Sequence, residues 1–180
     1  AAAAARLGFP VALKTSSAAI LPKTEVGGVA LNLRDAAAVE KAAARLGKIA
    51  PEVLVEAMVE GAVAELLLGV TADPQFGPTL LLGAGGTPTE LLRDSVPLLL
   101  PVSEAQVLAA LRALKVWPLL DGYRGKPAGD VAAVVRAVLA LAAYVEANAT
   151  RLVELEINPL LVRPVGQGAV AADVLLRLAE

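Results

Sequence analysis

Glu156 and Asn158 stand two residues apart in the run Leu155-Glu156-Ile157-Asn158-Pro159-Leu160. Residues two apart on a strand project to the same side, so this spacing sets a carboxylate beside an amide oxygen. Both are hard donors of the kind that magnesium or calcium takes. Leu155, Ile157 and Leu160 embed the pair in an apolar run, where a carboxylate needs a partner. The plainer alternative is an acidic solvent face followed by an Asn-Pro turn. A second group is Lys23 with Gly27 and Gly28. Glycines let backbone N–H groups approach an anion such as phosphate without a side-chain clash, and a lysine adds charge; a tight hairpin would use the same residues. Lys14 closes the apolar stretch Val11-Ala12-Leu13. It is either a point charge for an anion or a solvated strand end.

Composition removes much other chemistry. The 180 residues contain no histidine and no cysteine. Thiolate chemistry, disulfides, a Ser-His pair and thiolate or histidine metal ligands therefore cannot come from this chain. Net charge is −2 and aromatics are 3% of the residues, so neither a basic field nor a stacking surface for nucleic acid is expected. The hydrophobic fraction of 57% raises the question of a membrane. A spanning helix needs about 20 apolar residues in succession. The best stretch, Val131 to Val145, is interrupted by Arg136. The apolar runs are short and punctuated by turn residues, which reads as a buried α/β core.

Elements that would carry these residues follow in order. Ala1 to Leu7 reads as helix stopped by Gly8, Phe9 to Thr15 as strand, and Thr15 to Gly28 as a turn-rich loop. Val29 to Leu33 is a strand. Ala36 to Leu46 is an Ala-rich helix ended by Gly47. Val53 to Met58 and Ala64 to Val70 read as neighbouring strands around Gly61. A turn from Asp73 to Pro78 leads into a strand, Thr79 to Leu82, closed by Gly83-Ala84-Gly85-Gly86. Val96 to Leu100 is a further strand. Ser103 and Gln106 form a capping-box pattern ahead of a helix to about Leu114. Leu119 to Gly129 reads as loop, and Asp130 caps a helix to about Asn148. Leu152 to Ile157, Leu160 to Arg163 and Ala169 to Val174 read as antiparallel strands flanking a turn. Strands with intervening helices and hairpins give an α+β or mixed α/β domain. The opening Ala1–Ala5, without Met or a charged leader, reads as the end of a helix whose start is missing, in a piece of a longer protein.

Four stretches together resemble one family. Phe9-Pro10-Val11-Ala12-Leu13-Lys14 is similar to the first lysine strand of ATP-grasp domains. Lys23-Thr24-Glu25-Val26-Gly27-Gly28-Val29 resembles the phosphate-covering loop of ADP-forming acyl-CoA synthetases. Leu68 to Pro78, with Thr71-Ala72-Asp73-Pro74-Gln75-Phe76-Gly77-Pro78 and then Gly83-Ala84-Gly85-Gly86, resembles that family's signature turn. Leu155 to Leu160 resembles the metal-binding strand shared with the succinyl-CoA synthetase β subunit. Order and spacing agree over nearly the whole chain.

The resemblance implies an ATP-grasp fold, mixed sheets with flanking helices, lacking its usual N-terminal part. Residues 1–58 would be a partial first subdomain carrying the phosphate loop 15–28, and residues 59–180 a second with the metal site. Lys14, Lys23, Gly27 and Gly28 would hold nucleotide phosphates. Glu56 would touch adenine and ribose, and Glu65 would be an acidic core-strand residue of the same site. Glu156, Asn158 and Asp173 would be magnesium ligands. Glu90 would order lysines or metal-bound water, unless it only pairs with Arg93. Arg124, in a loop similar to the family's Asp-Gly-Phe-Arg-Gly, would contact a partner domain or phosphate. One departure stands out: the family's loop commonly has histidine just before Lys23, and here the residue is Pro22.

The implied reaction converts acid, CoA and ATP into acyl-CoA, ADP and phosphate. It passes through a phosphohistidine that this chain cannot supply, so a CoA-binding ligase domain or subunit must carry it. Magnesium and ATP or ADP are the implied cofactor and substrate. The implied setting is cytoplasmic, in a hetero-oligomer or a longer fused chain, with no nucleic acid or membrane partner. Two rivals are a degenerate regulatory ATP-grasp part of a protein acyltransferase, which Pro22 favours, and another ATP-grasp carboxylate ligase.

Overall fold

The computed structural model describes residues 1–16, 27–73, 75, 77–86 and 93–179. The chain divides into two compact units, Ala1–Glu60 and Gly61–Glu180.

The first unit is a small sheet covered by helices. It contains α1 (Ala2–Leu7), β1 (Val11–Thr15), β2 (Val29–Leu33), α2 (Ala36–Leu46) and β3 (Val53–Ala57). β1 is central, with β2 and β3 antiparallel on either side. α2 forms where alanine lowers the entropic cost of helix, and Asp35 starts it by accepting the Ala38 N–H at 2.7 Å. Its Val39, Ala42 and Leu46 recur at helical spacing and join Ala4, Val11 and Leu13 in one buried cluster. Full burial of Leu46 alone contributes roughly 2 kcal/mol. One polar atom is caught in this packing: Thr15 is 1% exposed, and its Oγ1 has no partner among the described residues. Thr15→Val is therefore expected to stabilise the chain by about 1 kcal/mol in chemical denaturation, because a buried hydroxyl without a hydrogen bond is a net cost. A loss of stability would mean that the hydroxyl is bonded after all.

The second unit has β4 (Ala64–Asp73), β5 (Gly77–Ala84), β6 (Ser95–Leu99), α3 (Glu104–Ala113), α4 (Trp117–Asp121), α5 (Val131–Ala147), β7 (Leu152–Val162), β8 (Ala169–Ala171) and β9 (Val174–Leu178). The sheet order is β6-β5-β4-β7-β8, and β9 also pairs with β7. α3 packs against β5 and β6, and α5 against β5, β7 and β8. Beneath them lies a core of Leu66, Leu68, Leu80, Leu82, Leu111, Val134, Val138 and Leu155. The Ser103–Gln106 capping box is present. Asp130 caps α5 by accepting the Ala133 N–H at 3.0 Å. Among the described residues, no helix is long and apolar enough to cross a membrane.

Several expectations need correction. β3 and β4 are not neighbours: β3 spends its ladder on β1, and β4 has both edges taken by β5 and β7. The turn after β4 is tighter than Asp73 to Pro78, since Asp73 and Gly77 already pair in the hairpin. β5 continues through Gly83 to Ala84 instead of closing at Leu82. Leu119–Asp121 belongs to α4 and not to a loop. A buried carboxylate far upstream fixes the chain just ahead of that helix: Asp94 accepts the N–H groups of Lys115 at 2.9 Å and Val116 at 3.0 Å. Finally, Leu152 to Ile157 and Leu160 to Arg163 are not separate strands. β7 is one strand from Leu152 to Val162.

Candidate functional site

β7 carries an extra residue. Against β4, Leu66 pairs with Leu160 and Leu68 with Ile157, so three steps on β7 match two on β4. A single inserted residue flips the facing of everything beyond it. Leu155 before the bulge and Leu160 and Val162 after it are all buried. Had the alternation been unbroken, Leu155 and Leu160 would lie on opposite faces. Glu156 faces away from this core and is exposed, paired in register with Gly69 and with Leu175 of β9. The expectation of an embedded carboxylate is thus corrected: the apolar neighbours of Glu156 point to the core, and Glu156 points to solvent.

The bulge also gathers Asn158 and Asp173. β8 and β9 pair with β7 on either side of it, and the gap between them, Ala172-Asp173, lies opposite Asn158-Pro159. Asn158 N–H donates to the Asp173 carbonyl at 3.1 Å, and Ala172 N–H donates to the Pro159 carbonyl at 3.0 Å. Asn158 and Asp173 are both half-buried. Asn158 Oδ1 accepts the Gly86 N–H at 3.0 Å. Gly85 N–H donates to the Glu65 carbonyl at 2.9 Å. The glycine turn after β5 therefore reaches across β4 to β7. Glu65 itself is exposed and meets that turn through its backbone. Among the described residues, no group of three or more His, Cys, Asp or Glu side chains could hold a metal ion.

In the first unit, Lys14 and Glu56 come together. Glu56 is opposite Ala12 and Leu54 is opposite Lys14, so the two charges are diagonal neighbours on adjacent strands. Lys14 Nζ lies 2.7 Å from Glu56 Oε2, with Lys14 buried and Glu56 about one-third exposed. The sequence nominated them separately; the register makes them one ion pair.

Gly27 adopts φ +69, and Gly28 accepts the Thr15 N–H at 2.9 Å, closing β1 onto β2. Arg45, at the end of α2, donates from Nη1 to the Gly27 carbonyl at 2.6 Å and from Nη2 to the Val29 carbonyl at 3.1 Å. Sequence reading missed Arg45, because an arginine in a last helical turn looks like a partner for the helix dipole. Lys23 and Glu90 lie outside the described residues. Arg124 is in an exposed loop with φ +50, and its guanidinium lies 5.2 Å from the Tyr123 ring. It does not join the groups around Asn158 or Lys14 in any contact described.

A lysine strand in one unit, and a glycine turn tied to an acidic bulged strand in the other, define a protein of the ATP-grasp class. The chain belongs to that family: the profile of the ATP-grasp domain matches residues 1–178. It corresponds to the β-subunit region of ADP-forming acetyl-CoA synthetases. It is 30% identical over 178 residues to the β subunit of the ADP-forming acetate–CoA ligase II of Pyrococcus furiosus, covering 94% of this chain and 75% of that subunit. It is 38% identical over 186 residues to a trans-feruloyl-CoA synthase from an unknown prokaryotic organism, with 98% of this chain and 26% of the synthase covered. The chain thus spans about a quarter of that longer relative. A solved structure from Ca. Korarchaeum cryptofilum superposes with a TM-score of 0.82 at 32% identity, covering 97% of this chain and 78% of that one. It is a dinucleotide forming acetyl-coenzyme A synthetase 1 in complex with coenzyme A and Mg-AMPPCP, its phosphohistidine segment pointing towards the nucleotide binding site.

Proposed function

We propose that this chain is the nucleotide-binding part of an ADP-forming acyl-CoA synthetase, in which acid, CoA and ATP are interconverted with acyl-CoA, ADP and phosphate. The observation that carries this reading is the bulge of β7, at which the Asn158 backbone bonds to Asp173 and the Asn158 side chain bonds to the glycine turn after β5. Because the chain has no histidine, the phosphoryl group travels on a histidine of a partner domain or subunit. That partner also binds CoA and the acid. In the direction of ATP synthesis, acyl-CoA and phosphate give an acyl phosphate and free CoA there. Its phosphoryl group passes to the histidine, releasing the acid, and then to ADP at the ATP-grasp part, giving ATP and the free histidine.

Within this scheme the chain positions and neutralises charge. Lys14 is a point charge for phosphate oxygens, and Glu56 holds its ammonium in place. Gly27 and Gly28, fixed by Arg45, bring backbone close to phosphate. Glu156 and Asp173, with the remaining lone pair of Asn158 Oδ1, fit magnesium by donor chemistry, since all are oxygens. Magnesium characteristically takes one or two carboxylates plus phosphate oxygens, so two acids suffice. When bound, the ion would offset negative charge on the phosphates.

The test is calorimetric titration of the chain with ATP and ADP, with and without magnesium, beside Glu156→Ala and Lys14→Met. Binding should depend on magnesium. Glu156→Ala should weaken the magnesium-dependent part about tenfold, roughly 1.4 kcal/mol, whereas Lys14→Met should weaken binding in both conditions. A well-folded chain that binds neither nucleotide would overturn the reading. Equal binding by Glu156→Ala would remove that residue from the metal set.

A further inference from the structure

The strand end that leaves β5 behaves unlike an ordinary turn. Ala84 still pairs with Leu66, but Gly85 then lies so close to β4 that a Cβ there would fall 2.5 Å from the Leu66 carbonyl carbon and oxygen. Gly86, at φ +79, follows and donates its N–H to Asn158 Oδ1. β4 stands between β5 and β7 in the sheet. One side chain of β7 therefore holds the backbone of a turn belonging to a strand two places away.

Asn158 is itself well placed to do this. Its own N–H is fixed on the Asp173 carbonyl, so the side chain starts from a pinned backbone. Its partner is an N–H donor, which forces the amide oxygen, not the amide nitrogen, toward Gly86. An amide oxygen has two acceptor sites; here one is committed to the protein.

We propose that Asn158 is a positioning residue: through the Gly86 N–H it fixes the Gly85-Gly86 turn across β4 before nucleotide or ion arrives. The anchoring is a property of the folded chain alone. Its benefit for nucleotide affinity rests on the function proposed above, as less ordering is left to the binding step.

Residue-resolved amide exchange of the chain, free of nucleotide and metal, tests this. Asn158→Ala should speed exchange at Gly86 about tenfold, while amides in α3 and α5 keep native rates. Asn158→Asp, which retains an acceptor, should restore protection. Glu156→Ala should leave Gly86 at its native rate. If the alanine variant fails to fold, Asn158→Ser, too short to reach Gly86, replaces it. Unchanged Gly86 exchange in the variant lacking an acceptor overturns the proposal, even if every variant binds nucleotide normally. Accelerated exchange rescued by aspartate upholds it, even if no variant binds nucleotide; in that case the nucleotide reading fails alone.

Discussion

Gly85→Ala should cost the second unit about 3 kcal/mol, a large loss for adding one methyl group. The added carbon would meet Leu66 C and O at 2.5 Å and Leu66 N at 2.9 Å. These are backbone atoms in the middle of a strand that is paired on both edges, so they cannot rotate aside. Relief would require lifting the turn, which would break the Gly85 bond to Glu65 and the Gly86 bond to Asn158. Overpacking typically costs about 1–3 kcal/mol, and each lost hydrogen bond adds about 1 more. The midpoint of thermal unfolding should drop by roughly 6–12 °C.

Gly69→Ala is the control. Gly69 is a strand glycine of β4, and a Cβ there would meet only Leu81 Cβ, at 3.9 Å, an ordinary contact. That substitution should be neutral or stabilising by about 0.5 kcal/mol, since glycine weakens a strand interior relative to alanine. Opposite signs at the two positions, read by urea denaturation, would establish close backbone approach at Gly85. Losses within about 0.5 kcal/mol of each other would refute it.

Where local chemistry decides, the sequence was a good guide. β2 and α2 fall where expected, because a short apolar run, an Ala-rich stretch and a terminal Gly are all local signals. The family resemblance also identified the ATP-grasp fold correctly, on motifs spread along nearly the whole chain. What failed depended on partners distant in sequence. The break expected between Ile157 and Leu160 is absent, because β4, β8 and β9 keep β7 extended through Asn158-Pro159. The chain entering the helix Trp117–Asp121 is held by the carboxylate of Asp94, which no window around Trp117 contains. In the candidate site, residue types were legible and their relations were not. Lys14 and Glu56 meet only because of the β1–β3 register. Glu156 is exposed because Leu155 and Ile157 belong to the other face. Arg45 and the tether at Gly86 are side chain to backbone bonds, which leave almost no trace in composition.

Asp130 carries the second large effect, and it is pH-dependent. This buried carboxylate sits where α5 begins and where the turn between β7 and β8 comes back. Oδ1 accepts from Ala133 N–H at 3.0 Å, and Oδ2 accepts from Gly166 N–H at 3.0 Å and Gly168 N–H at 2.9 Å. The Ala133 and Gly168 N–H groups hold its pKa below the usual carboxylate range; burial opposes them, and Gly166 N–H and the Arg136 charge add to the lowering. A folded-state pKa below the unfolded value, about 3.9, gives stability that is fully present above pH 4 to 5. That stability is lost as pH falls through the folded pKa, because the unfolded chain takes up the proton first. Asp130→Ala should cost about 3 kcal/mol at pH 7, as it removes a helix cap and leaves buried N–H groups without an acceptor. Asp130→Asn should cost less, near 2 kcal/mol, because its oxygen can still serve one N–H while its amide faces the others. The deficit of the asparagine variant should shrink as urea titrations move from pH 7 down towards pH 3, since the unfolded chain then takes up a proton that the native carboxylate does not, which lowers the stability of the parent alone. A deficit independent of pH over that range would mean that the carboxylate acts by shape and not by ionisation.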